Sequence, residues 1–132
     1  MPHLLVSDAA LLLGVSDDTV RRWIDGGRLD ATRGTNGRLM VDGRALATLA
    51  QEMAVADDGG RVRQSARNRF RGIVTKVTKD TVMAQVELQA GPFRVVSLMT
   101  REAADELGLD VGTVAVASVK ATQVVVELPA PK

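Results

Sequence analysis

Two periodicities divide the chain. In the first half, apolar residues recur at helical spacing. Val20, Trp23 and Ile24 stand at i, i+3 and i+4, and Leu46, Leu49, Ala50 and Met53 form a second stripe. In the second half the pattern becomes alternation. Val82, Ala84, Val86 and Leu88 alternate with Met83, Gln85, Glu87 and Gln89, which predicts a half-buried strand. Residues 1–54 therefore read as helical and 67–128 as mostly strands. The polar stretch Ala54–Ser65, with a double glycine at Gly59-Gly60, reads as a connection between them. The expected domains are 1–54 and 65–132, joined by a linker at 55–64. Each is about 60 residues, near the lower limit for folding alone, so association between subunits would stabilise both.

Punctuation sharpens the helical half. Ser7 suits an N-cap, with Asp8 behind it and Val6 and Leu11 as a hydrophobic staple. Gly14 ends this short helix. Ser16 caps a second, with Asp17 and Asp18 in its first turn, and Gly26-Gly27 stops it. Asn36-Gly37 then predicts a hairpin through a type I′ turn, which needs positive φ at both central residues. Asp42 caps a third helix. Helix, turn, helix, β-hairpin and helix is the order of a winged helix-turn-helix domain.

The second half reads as five strands. Phe70–Thr78 is the first, Asp80 a turn residue, and Val82–Leu88 the second. Gly91-Pro92 turns the chain into Phe93–Met99. Thr100 caps a short helix closed by Gly108, with Leu109 as its apolar partner. Gly112 opens Thr113–Val119, and Gln123–Leu128 is the last strand. One helix between the third and fourth of five strands is the order of an OB-like β-barrel. The expected fold class is thus α+β: an N-terminal winged helix-turn-helix and a C-terminal five-stranded barrel.

Composition removes whole classes of chemistry. The 132 residues hold no Cys and a single His, His3. Thiol nucleophiles, Cys-based zinc sites and interior Ser-His-Asp triads are excluded, and no enzyme is expected. The only aromatics are Trp23, Phe70 and Phe93, too few for base-stacking platforms. No apolar run approaches 18 residues and no export leader is visible, so a cytoplasmic protein with no membrane partner is expected. The net charge of +1 conceals a local excess: residues 20–44 carry six Arg and three Asp, net +3.

That excess falls where a resemblance lies. The stretch Leu4–Leu29, with Val15-Ser-Asp-Asp-Thr-Val-Arg-Arg-Trp23 and Gly27-Arg28-Leu29, resembles the DNA-binding unit of MerR/excisionase-type proteins over roughly residues 4–53. The resemblance implies that Ser16, Thr19, Arg21, Arg22 and Arg28 belong to a turn and recognition helix for double-stranded DNA. Arg21 and Arg22 lie opposite Val20, Trp23 and Ile24 at 100° per residue, and so face outward toward base edges or phosphates. Arg33 and Arg38 would let the hairpin touch the backbone or minor groove. Asp18 and Asp25 flank the same helix and would repel phosphate. One such unit reads few base pairs, so two half-sites and a dimer are expected.

The second half resembles a molbindin, the Mop or TOBE-type domain that binds molybdate and tungstate. Three segments carry the likeness: Ser65-Ala-Arg-Asn68, Thr100–Gly112, and Val119-Lys-Ala-Thr122. It implies an oxyanion held at a subunit interface by Ser65, Ala66, Arg67, Asn68, Lys120, Ala121 and Thr122, with Thr100 as a further hydroxyl ligand. The chemistry is consistent. A tetrahedral dianion offers only acceptors, so it needs converging donors and positive charge rather than Cys, His or carboxylates. A single repeat implies a site built between chains, and therefore a homo-oligomer, either dimer or hexamer. Two functions follow. One is a molybdate- or tungstate-responsive regulator of molybdate uptake or molybdenum-cofactor genes. The other is a molybdate storage protein whose helical half mediates assembly.

Overall fold

The structure, a computed structural model, describes residues 2–54 and 64–130. The expected linker falls almost wholly outside these residues. The chain divides into two compact units, Met1–Ala56 and Asp57–Lys132.

The first unit runs β1 (His3–Leu5), α1 (Val6–Leu13), α2 (Asp17–Asp25), β2 (Ala31–Arg33), β3 (Leu39–Asp42) and α3 (Gly43–Met53). Its three strands form one antiparallel sheet in the order β1-β3-β2. Ser16 caps α2 as expected, its hydroxyl accepting from Thr19 N–H at 3.2 Å. Asp42 caps α3 through Ala45 N–H at 3.1 Å. Gly14 closes α1 in the left-handed region at φ 68°. Ser7 is not a cap. The flanking residue is Leu5, with no side-chain cap bond, and Ser7 lies inside the first turn. The cause is tertiary: β1 pairs with β3, and Val6 is buried at the head of the helix, so α1 starts two residues early.

The hairpin turn also differs from expectation. Among the described residues none other than glycine has positive φ, so Asn36 is not in the left-handed region and the turn is not type I′. Instead Gly37 N–H donates to Gly34 O, and Gly37 alone takes φ 78°. Asn36 Oδ1 accepts from Arg38 N–H at 3.0 Å, which secures the tip. Beneath these elements Val6, Ala9, Ala10, Val20, Leu29, Val41, Leu46 and Leu49 form the core, with Trp23 and Ile24 packed against it. Met53, expected in the buried stripe of α3, is exposed at its last turn.

The second unit runs β4 (Asn68–Lys79), β5 (Met83–Ala90), β6 (Phe93–Thr100), α4 (Arg101–Glu106) and β7 (Val114–Val119), then a 3-10 turn at Ala121–Gln123. The strands form one antiparallel sheet in the order β6-β5-β4-β7. A bulge between Val74 and Lys76 breaks the β4/β5 register and helps the long strand bend. At Gly72 the sheet closes tightly: a Cβ there would sit 2.6 Å from Gln89 O. Thr100 caps α4 through Ala103 N–H at 3.1 Å, and Leu109 N–H returns to Ala104 O as the C-terminal motif predicts. Val74, Val86 and Leu88 form the core, with Val77, Val95, Met99 and Leu109 partly buried around them.

The expected fifth strand is not paired. Four strands form the sheet among the described residues, and Gln123–Leu128 adds none. Val125, Val126 and Leu128 are 88%, 87% and 90% exposed. An alternating sequence does not by itself make a strand: here the segment leaves the sheet after the 3-10 turn and pairs with neither free edge, β6 nor β7. The mixed helix-and-sheet class holds, while the barrel of a single chain remains a curled sheet.

Candidate functional site

Strand pairing in the second unit assembles one end of the sheet. Asn68, the first residue of β4, pairs with Val119, the last of β7, and its Nδ2 donates to Val119 O at 3.1 Å. This bond ties the approach Ser65-Ala66-Arg67 to the exit Lys120-Ala121-Thr122. Two segments 51 residues apart in sequence thus meet at one end of the sheet. Asn68 acts there as a structural tie. Ser65, Arg67, Lys120, Ala121 and Thr122 are exposed, and Ala66 is half-buried. Neither Arg67 nor Lys120 has an ion-pair partner among the described residues. The 3-10 turn begins at Ala121, so its first N–H groups have no acceptor within the turn. Two cations, hydroxyls and outward N–H groups are a donor set suited to an oxyanion.

Thr100 is not at this end. It pairs with Met83 across β6/β5, at the end of the sheet that Lys79 and Ala84 close. From Asn68 to Lys79, β4 spans 12 residues, roughly 36 Å of strand if straight. The Thr100 hydroxyl is also engaged as the α4 cap. Nearby, N–H groups of Met83 and Val82 donate to Asp80 and hold its carboxyl below the usual range. Lys79 does the same to Asp105. On the sheet, Arg94 donates to the buried Glu87 and neutralises it.

In the first unit, Arg21, Arg33 and Arg38 line a cleft of about 430 Å³ between α2 and the hairpin, together with Ser7 and Asp17. Arg21, Arg22, Arg33 and Arg38 are all exposed. Arg33 Nη1 donates to Gly37 O at 2.9 Å and so stiffens the hairpin. Ser16, Thr19 and Arg22 form a chain along α2: the two hydroxyls lie 3.0 Å apart, and Arg22 Nη2 donates to Thr19 at 3.2 Å. Arg28 is placed differently. It lies 5.8 Å from the Trp23 ring centroid and 4.0 Å from Glu52, contacts that fix it against its own unit. Ser7 and Asp17 were legible in sequence only as helix-start residues. Their place in the cleft depends on the hairpin folding over α1 and α2. Among the described residues, no group of three His, Cys, Asp or Glu could hold a metal ion, and no helix is long and apolar enough to cross a membrane.

Comparison with known proteins follows the same division. The TOBE domain family model matches residues 64–126, and a helix-turn-helix domain model matches residues 4–54. Neither matched domain is catalytic. The molybdenum-pterin-binding protein 3 of Clostridium pasteurianum is 38% identical over 63 residues, 47% of this chain and 93% of that protein. The molybdenum transport protein ModE of Herbaspirillum seropedicae is 35% identical over 82 residues. That match covers 61% of this chain and only 28% of the relative. A solved molybdate-binding protein from Sporomusa ovata aligns at 30% identity and a TM-score of 0.49, over 51% of this chain and 100% of its own. The chain therefore belongs to the TOBE-domain family, and carries a helix-turn-helix domain ahead of its TOBE domain.

Proposed function

We propose that this protein is a molybdate-responsive DNA-binding regulator that acts as a homo-oligomer in the cytoplasm. The observation that carries the reading is the Asn68–Val119 tie, which brings Ser65, Arg67, Lys120, Ala121 and Thr122 to one end of the sheet, where neither cation has an ion-pair partner among the described residues. A tetrahedral dianion, molybdate or tungstate, fits those donors. Matching charge and shape leave cavity size to discriminate either from sulfate. The relatives named for molybdenum and molybdate support the choice of ligand. Thr100 stands at the far end of the sheet, so it reaches an anion only if a second copy supplies it.

The helix-turn-helix unit supplies the output. Arg21 and Arg22 face outward from α2 and would enter the major groove, while Arg33 and Arg38 would let the hairpin act as a wing on the backbone. Arg28 braces Trp23 and contributes less. Anion binding between subunits would reset the spacing of two recognition helices, which couples the ligands reciprocally. Genes for molybdate uptake or molybdenum-cofactor synthesis are the natural targets. The Arg-lined cleft favours this reading over a storage protein, because an assembly element has no need of three converging arginines.

Calorimetry on the intact chain tests the anion site. Lys120→Ala and Arg67→Ala should each weaken molybdate binding about tenfold or more while the far-UV spectrum stays unchanged, since each removes a charge-assisted hydrogen bond. Wild-type affinity in both variants would refute the site.

A further inference from the structure

We propose that Arg21 and Arg22, neighbours on α2, take different parts of the DNA: Arg22, positioned by Thr19, reads a guanine in the major groove, and Arg21 holds a backbone phosphate. This rests on the DNA-binding reading above and names the base that it leaves open.

At 100° per residue the two side chains leave the helix in different directions. Arg21 turns toward the hairpin. With Ser7, Arg33 and Arg38 it lines the cleft of about 430 Å³, where three arginines face one carboxylate, Asp17. That positive surplus suits a phosphate, which offers charge and acceptors but no sequence information. Arg22 does not line the cleft. Its neighbours at i−4 and i+3 are Asp18 and Asp25, which share its side of the helix. Both are exposed, and neither forms an ion pair with Arg22 among the described residues. Two carboxylates repel a phosphate from this side. A base edge carries no net charge and is admitted.

Arg22 is also held in place. Its Nη2 donates to Thr19 Oγ1 at 3.2 Å. The Thr19 hydroxyl, accepting that bond, can donate to Ser16 Oγ at 3.0 Å. Ser16 Oγ in turn accepts from Thr19 N–H at 3.2 Å as the helix cap. Thr19 is half-buried, and its β-branch restricts χ1. A stiff residue thus ties the guanidinium to the first turn of its own helix. One of its five N–H donors is used, and the others remain in a planar fork. Guanine alone presents two acceptors, O6 and N7, on its major-groove edge. Adenine and cytosine each present a donor there, and thymine one acceptor beside a methyl group. Fixing the fork beforehand lowers the ordering cost of a long side chain.

The test uses the full-length protein. Randomised duplex DNA is selected for binding and sequenced, and anisotropy titrations then compare the selected site with its single-base variants. Wild-type protein should require guanine at one position of each half-site, any other base there weakening binding about tenfold or more. Arg22→Gln should abolish that preference, because Gln pairs with adenine rather than guanine. Thr19→Val removes the hydroxyl and should weaken the preference at least threefold. Thr19→Ser restores the hydroxyl and should recover it. A purely structural role for Thr19 would lower affinity for every sequence alike and leave base preference untouched. Arg21→Ala should behave in that uniform way and reduce the slope of log K against log salt by about one, the loss of one phosphate contact. The assignment is overturned if wild-type protein shows no guanine preference, if the preference survives Arg22→Gln or is undiminished in Thr19→Val, or if Arg21→Ala removes it. Those results leave the regulator reading standing. Failure to bind any duplex overturns both.

Discussion

Among the described residues, eight are buried in the core of the first unit, spread over all three helices, the loop before β2 and the central strand. The second unit, though longer, has a core cluster of three, Val74, Val86 and Leu88, all on two adjacent strands. Its apolar residues are not scarce; they are left outside. Phe93, Val96, Leu98, Val114, Val125 and Val126 are exposed, while the first unit leaves chiefly Leu11, Leu12 and Met53. The difference follows from the elements. Three helices on a small sheet can close around one centre. A four-stranded sheet with two free edges cannot, because closure needs one more strand. The helix-turn-helix unit is therefore closed within one chain, and the sheet of the TOBE unit is left open at β6 and β7.

Substitutions can break each unit separately. The largest effect is expected in the closed core. Leu29→Ala, at a side chain 2% exposed, should cost the first unit about 2–5 kcal/mol and leave the second unit's calorimetric transition in place. Next is Gly72→Ala. The added Cβ meets Gln89 backbone, which has no room to yield, so the second unit should lose about 1–3 kcal/mol and the first none. Ser16→Ala removes a helix cap and should cost the first unit about 1 kcal/mol in a urea titration. The smallest effect concerns acid. The Asp80 carboxyl is held below 3.8 by N–H donors from Met83 and Val82. Its stabilising contribution is present above that value and lost as pH falls through the depressed one. Asp80→Asn should therefore flatten part of the second unit's acid-unfolding curve and leave the first unit's curve unchanged. An equal response of both units to any of these changes would erase the contrast.

The same contrast explains what could be read from the sequence. Caps at Ser16, Asp42 and Thr100 were legible because each is a ring closed within three residues. Helix spacing and strand alternation located most elements for the same local reason. Ser7 misled because β1, only three residues long, pairs with β3 and moves the start of α1. Asn36-Gly37 marked the hairpin correctly, but φ at Asn36 depends on how the flanking strands are spaced. Gln123–Leu128 has the right pattern for a strand, yet it pairs with neither free edge. The proposed anion site divides similarly. Its two segments carried recognisable residues, and pairing of Asn68 with Val119 gives a physical reason for their meeting. Thr100 was legible as a cap, which it is, and through resemblance as a ligand; any role with an anion depends on a second chain, which no single sequence places.

The central claim is that oxyanion and DNA are linked through one protein. Fluorescence anisotropy with DNA from the gene's own upstream region, titrated with and without saturating molybdate at fixed salt, measures this directly. The account predicts salt-sensitive binding whose affinity changes by about 5- to 150-fold with molybdate, with the same factor recovered when molybdate binding is measured with and without DNA. It also predicts that the Arg21→Ala/Arg22→Ala variant loses the DNA signal while keeping molybdate binding. DNA binding that is absent in both conditions, or identical in both, would contradict it.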